Sequence, residues 1–185
     1  MAGGNGATLW DSAQVLSTYL TTSIWKNVTV LEIGSGVGLV SIVVSLLGGI
    51  VTASERGLAL PLLRMNIDAA NKLKEENGES NLIDVVEVNW EDGISKLVQH
   101  EYDVILGTDL VFPSNSEVHL SLARMLAELL RCGSVAYIAH ESRSVRTDEE
   151  FFNCLRINCI SIEDIVREEN DGIRILKLTF NKEGG

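Results

Sequence analysis

The chain has 185 residues, 45% of them hydrophobic and 22% charged, which is too apolar for a disordered chain and long enough for one domain with a sizeable core. A formal net charge of −11 at pH 7 argues against nonspecific binding to nucleic acid or an anionic membrane; beyond keeping the surface soluble, it favours basic partners. Three cysteines, Cys132, Cys154 and Cys159, lack CxxC spacing and read as free thiols of a reducing compartment, not as a disulfide or metal framework.

Residues 1–8 carry neither the basic nor the apolar stretch of a signal peptide, so a flexible start and a cytoplasmic or nuclear location are expected. Asp11 and Gln14 have the spacing of a helix cap and its reciprocal partner. Val15, Leu16, Tyr19 and Leu20 then share a face, predicting a helix over 11–22. Residues 28–33 read as a buried strand running into Gly34, Gly36 and Gly38, and residues 38–47 as a buried helix closed by Gly48 and Gly49. The apolar stretch 37–51 is broken by glycines and serines and is shorter than the roughly 20 residues that span a bilayer. A second strand over 50–54 closes on Glu55, and a helix over 58–74 has Pro61 in its first turn.

A third strand, 83–88, ends at Asn89 and Trp90, followed by a short helix bearing Ile94, Leu97 and Val98. A fourth strand, 102–106, opens onto Gly107, Thr108 and Asp109. Ser114 and Glu117 form a capping box for a helix whose Val118, Leu122, Met125, Leu126, Leu129 and Leu130 make a core-facing stripe. A fifth strand over 134–139, a helix capped by Thr147 and Glu150, and strands over 159–162 and 173–180 complete the chain. The polar turn around Asn170, Asp171 and Gly172 suits a hairpin between the last two strands. Strand and helix alternate without repeat or linker. The expected fold is therefore a single α/β domain, a doubly wound and mostly parallel seven-stranded sheet whose last strand lies antiparallel at one end.

The glycine turn sits at the carboxyl end of the first strand, the edge where open α/β sheets bind ligands. Its spacing departs from the dinucleotide fingerprint, whose third glycine would fall at Leu39, and Glu32 is foreign to that pattern. An acid two residues before the turn suits a ligand with an ammonium and a carboxylate, Glu32 near the first and backbone N–H groups near the second. Alone, the turn does not separate a dinucleotide from other nucleoside-bearing ligands. Glu55, at the next strand end, can accept hydrogen bonds from a ribose diol, Trp90 can stack on an adenine, and Asn89 or Glu91 can bond the adenine's amino edge.

These residues resemble the seven-stranded, class I S-adenosylmethionine-dependent methyltransferases, and more narrowly the methyltransferase-like-21 group of protein-lysine methyltransferases. The carriers of the resemblance are Leu9-Trp10-Asp11-Ser12-Ala13, the run Leu31 to Leu39, Asn66, Val88-Asn89-Trp90, and above all Tyr102 to Phe112. The resemblance implies a Rossmann-like fold and S-adenosyl-L-methionine as cofactor, with S-adenosyl-L-homocysteine as product. It implies a site in which Trp10, Glu32, Gly34, Gly36, Glu55, Asn89, Trp90 and Asp109 meet the cofactor, with Asp109 and Phe112 at the acceptor. Phe112 stands where the group's D-x-x-Y motif has a tyrosine, so a hydroxyl expected near the acceptor is absent. The group usually has a further segment, strand-like in part, before the tryptophan motif.

The implied reaction is methylation of a lysine on a protein partner, basic or chaperone-like, by a monomer that binds neither nucleic acid nor membrane. Arginine or a small molecule as acceptor, and a weakly active cofactor-binding interaction module, are the competing readings. Asp109 can orient a lysine ammonium but also stabilises its protonated form, and no dedicated base is evident. His140, after the fifth strand, is more readily structural than catalytic; the loop with Glu141 and Arg143 reads either as substrate-facing or as salt-bridged. His100 and His119 read as surface residues, and no cluster has metal-ligand spacing.

Overall fold

The structure, a computed structural model, describes residues 8–95, 97, 101–111, 116–167 and 172–182. Seven strands form one sheet: β1 (Thr29–Ile33), β2 (Ile50–Glu55), β3 (Asp84–Glu87), β4 (Val104–Thr108), β5 (Val135–Glu141), β6 (Ile160–Arg167) and β7 (Ile173–Phe180). Their order is β3-β2-β1-β4-β5-β7-β6. The first five are mutually parallel, and β7 runs antiparallel to both β5 and β6. The last strand is antiparallel as expected, but it lies one place in from the edge, which β6 occupies. Of the expected turn, Asn170 and Asp171 lie outside the described residues, and Gly172 takes a positive φ of +66°.

Strand alternation sends each side chain to one of two apolar layers. On one face Val30, Val51, Ala53 and Leu106 pack against α1 (Asp11–Leu20), α2 (Leu39–Leu46) and α3 (Leu60–Glu76). On the other, Leu31, Ile33, Ile105 and Ile138 pack against α4 (Ser116–Arg131) and α5 (Val145–Ile157). Glu32 has the parity of Val30, so its carboxylate enters the α2 layer. Because β1 lies between β2 and β4, the chain reverses its winding there and opens a crevice at the carboxyl ends of β1 and β4.

Several local expectations shift for physical reasons. Trp10, not Asp11, is the N-cap of α1; Gln14 Nε2 donates to Asp11 Oδ1 at 3.2 Å inside the first turn. The helix stops at Leu20 because the Thr21 and Thr22 hydroxyls donate to the carbonyls of Thr18 and Tyr19. The expected helix around Ile94 is a 3-10 turn, Trp90–Asp92, broken by Gly93 at φ +66° and followed by turn residues; Val98 lies outside the described residues. Strand β4 begins two residues late, since Asp103 instead accepts from Thr29 N and Oγ1 at 2.8 and 2.7 Å. Ser144, not Thr147, caps α5, accepting from Thr147 N at 3.3 Å. Ser114 lies outside the described residues, but the apolar stripe of α4 is buried as expected. His119 is not a surface residue: it is 1% exposed and meets Phe151 edge-on.

Gly38 is the N-cap of α2, at φ +89°, and a Cβ there would come within 2.9 Å of Leu63 Cδ1 and 3.2 Å of Ile67 Cδ1. Only glycine both adopts that conformation and lets α2 close onto α3. We expect Gly38→Ala to lower the unfolding free energy by about 2–4 kcal/mol, read by urea denaturation. A loss under about 0.5 kcal/mol would contradict the packing described.

Candidate active site

Each strand end on the carboxyl edge delivers one part of the site. After Ile33 the chain turns through Gly34 (φ +62°) and Gly36 (φ +54°). The turn is strapped from neighbouring elements: Ser35 N donates to Ser54 O at 2.9 Å, Gly36 N to Glu55 Oε2 at 2.9 Å, and Asn66 Nδ2 to Val37 O at 2.8 Å. A Cβ on Gly34 would stand 3.0 Å from Leu110 Cδ2 and 3.6 Å from Trp90 Cζ2, so the bare backbone forms a surface between those two side chains.

Glu32 is 1% exposed, and its Oε2 accepts from Ser41 N at 2.9 Å and from the Ser41 hydroxyl. This ties the end of β1 to the first turn of α2, where free N–H groups and the helix dipole favour an anion. Burial nonetheless dominates and pushes the carboxyl up to about 7; the Ser41 and Ser35 hydrogen bonds oppose that rise and the nearby Glu55 charge adds to it. Glu55, at the end of β2, accepts from Gly36 N through Oε2 and from Arg56 N at 2.8 Å through Oε1. Each of its oxygens retains a second lone pair for a ligand hydroxyl.

Trp10, Glu32, Gly34, Gly36, Glu55, Trp90 and Asp109 line one continuous cleft of about 500 Å³, within the range of small-ligand pockets. Asn89 does not join them. Its Oδ1 accepts from Arg56 Nη1 at 3.1 Å and its Nδ2 donates to Glu91 Oε2 at 3.3 Å, one step behind the wall. Phe112 lies outside the described residues. Ser41 and Arg56 went unremarked in the sequence. Arg56 follows Glu55 directly and lies 5.6 Å from the Trp90 ring centroid; neither it nor Ser41, nine residues past Glu32, belongs to a spacing pattern that marks a site.

At the acceptor end, Asp109 is 7% exposed and takes a left-handed backbone conformation, φ +45°. That conformation is uncommon for a residue with a Cβ, though aspartate tolerates it better than most. Its N–H donates to Ala139 O at 2.9 Å, and its Oδ1 accepts from Glu141 N at 3.0 Å. Its Oδ2 accepts from Arg143 Nη2 at 3.1 Å. Arg143 also donates to Glu141 Oε2 at 2.7 Å, and its guanidinium carbon stands 4.3 Å from the Trp10 ring centroid. Of the two readings of this loop, the salt-bridged one describes the geometry. His140 lies within β5, not after it; it is 3% exposed, bonded through Nε2 to Asp148 Oδ1 at 2.9 Å and edge-on to Phe152. Its imidazole is thus part of the α5 layer and outside the cleft lining.

The fold recurs in solved methyltransferases. The magnesium protoporphyrin IX methyltransferase of Synechocystis PCC 6803, crystallised with bound SAM, superposes with a TM-score of 0.65 at 15% identity, over 92% of this chain and 79% of that one. The fold is that of the Rossmann-like class I methyltransferases. A family model described as lysine methyltransferase matches residues 1–158. The protein N-lysine methyltransferase METTL21A of Danio rerio is 32% identical over 184 residues, 97% of this chain and 79% of the relative. Its Xenopus tropicalis counterpart is 29% identical over 181 residues, 94% of this chain and 77% of the relative. The chain belongs to this lysine methyltransferase family, as an S-adenosylmethionine-dependent N-methyltransferase that acts on protein lysine.

Glu32 makes stability pH-dependent. Its carboxyl binds a proton more tightly folded, at about 7, than unfolded, near 4.5, so its contribution is full below pH 4.5 and is lost as pH rises to about 7. Urea denaturation of the ligand-free protein is expected to show up to about 3 kcal/mol of that loss across the window, and Glu32→Gln to flatten the slope. A profile unchanged by Glu32→Gln would refute the assignment.

Proposed function

We propose that the cleft divides its labour between a cofactor half, formed by Glu32, Gly34, Gly36, Glu55 and Trp90, and an acceptor end centred on Asp109 and Trp10. The observation that carries this reading is their convergence on one cleft at the switch point of the sheet. The residues fit S-adenosylmethionine: a buried carboxylate for its ammonium, a turn whose Gly34 presents no Cβ, a strand-end carboxylate for its ribose, and an indole face for its adenine. When bound, it supplies a methyl group activated on a sulfonium.

Burial lifts the Glu32 carboxyl to about 7 in the ligand-free protein, so it can take up a proton near neutral pH. An ammonium beside it favours the ionised form, so Glu32 releases its proton as it pairs. At the acceptor end, Asp109 is held rigid by its two main-chain hydrogen bonds, to Glu141 N and Ala139 O, and orients a cationic side chain. Its contribution is positioning for an in-line displacement. His140 is engaged with Asp148 outside the cleft lining and takes no part in deprotonation.

The acceptor lysine lies on a basic or chaperone-like protein, met by a monomer in the cytoplasm or nucleus. The net charge of −11 and the Asp109 and Glu141 carboxylates support the basic partner, and Cys132, Cys154 and Cys159, none of them in a disulfide among the described residues, support a reducing compartment. No helix among the described residues is long and apolar enough to cross a membrane.

Titration calorimetry with S-adenosylmethionine and a methyl-transfer assay on cell lysate separate the two halves. Glu55→Ala is expected to weaken cofactor binding by about tenfold or more. Asp109→Ala should retain cofactor binding while transfer falls roughly a hundredfold. Full turnover by Asp109→Ala would remove Asp109 from the acceptor site.

A further inference from the structure

The acceptor end already holds a cation, and it is the chain's own. Arg143 is bounded on three sides: the Trp10 ring 4.3 Å from its guanidinium carbon, Asp109 Oδ2 at 3.1 Å from Nη2, and Glu141 Oε2 at 2.7 Å from the same nitrogen. An aromatic face with two carboxylates is the chemistry that recognises an alkylammonium. Two of these groups, Trp10 and Asp109, also line the cleft. Asp109 cannot turn away to meet a ligand elsewhere, because Glu141 N fixes its Oδ1 and Ala139 O fixes its backbone. Arg143 is the partner able to yield: its side chain is 28% exposed, against 4% for that of Asp109, and it comes from the loop between β5 and α5.

We propose that Arg143 is an internal stand-in for the acceptor, seated in the subsite that an incoming lysine ammonium takes over by cation exchange. The inference rests on Asp109 being the acceptor anchor. A nearly buried carboxylate left without a cation is costly, so a neutral side chain does not displace Arg143, whereas an ammonium restores the charge pairing as it enters. Glu141, 36% exposed, receives the released guanidinium. The exchange selects for a cationic acceptor at the entry step. It also closes the acceptor subsite against uncharged side chains while no substrate is bound. A resident competitor lowers apparent substrate affinity by the fraction of molecules in which the subsite is open.

The test uses two probes, Nα-acetyl-lysine methylamide and its uncharged isostere Nα-acetyl-norleucine methylamide, titrated into the full chain with S-adenosylhomocysteine present. In the native protein the lysine probe should shift the Arg143 Nε–H and Trp10 indole N–H resonances, and the norleucine probe should leave both in place. Arg143→Gln should bind the lysine probe about tenfold more tightly than native, with S-adenosylhomocysteine affinity reporting that the variant is folded. An Arg143 resonance unmoved at saturation with the lysine probe overturns the proposal in the native protein alone, whatever the variant does. Equal or weaker binding by folded Arg143→Gln overturns it too. Asp109→Asn separates the two levels: lysine-probe binding that survives Asp109→Asn removes the anchor itself, whereas binding lost in Asp109→Asn but unimproved in Arg143→Gln removes only the stand-in.

Discussion

The bond between Glu32 and Ser41 is the constraint from which the site follows. A carboxylate on β1 faces the helix layer, where an unpaired charge would be expelled, and it is tolerated because the first turn of α2 offers a backbone N–H and a hydroxyl. That pairing fixes the angle at which α2 leaves the sheet, and with it the course of the glycine turn between them. Ser54, Glu55 and Asn66 then strap the same turn from β2 and α3. Three elements converge on one backbone loop, and the bare face of Gly34 comes to lie between Leu110 and Trp90. The raised proton affinity of Glu32 is the cost of keeping a carboxylate in a nearly dry layer, and a cationic ligand offsets it.

Much of this was legible in the sequence because it depends on local pattern. Apolar runs ending in an acid and glycines mark β1 and its turn, and Glu55 and Trp90 recur at successive strand ends, so parallel strands had to bring them to one edge. Errors concentrate where tertiary pairing overrides local signals. Asp103 was read as strand and instead caps one by bonding to Thr29, a residue 74 positions away. His119 is a polar residue in the first turn of α4, and only the fold shows that it is buried edge-on to Phe151. The antiparallel direction of β7 follows from a short polar turn, but its insertion between β5 and β6 does not, since a hairpin fits on either side.

The acceptor end was the least legible part. Trp10, Asp109 and Arg143 come from the start of α1, the end of β4 and the loop after β5, and no spacing rule links them. What the sequence did carry was the acid after β4, on the strength of a family motif. The structure adds the physical reason for its fixity: a left-handed backbone and two main-chain bonds leave a single oxygen, Oδ2, directed at a cation. Cofactor half and acceptor end thus obey opposite electrostatic rules. Burial raises the proton affinity of Glu32 and a ligand's positive charge would lower it, whereas Asp109 meets a cation already in the protein.

The destination of the methyl group identifies the acceptor. Incubating the protein with S-adenosylmethionine carrying a deuterated methyl group and a cell lysate, then sequencing the labelled peptides by mass spectrometry, reads the acceptor directly. Label is expected on a lysine side chain of a protein. Label on arginine, or on small molecules alone, would contradict a protein lysine as the acceptor.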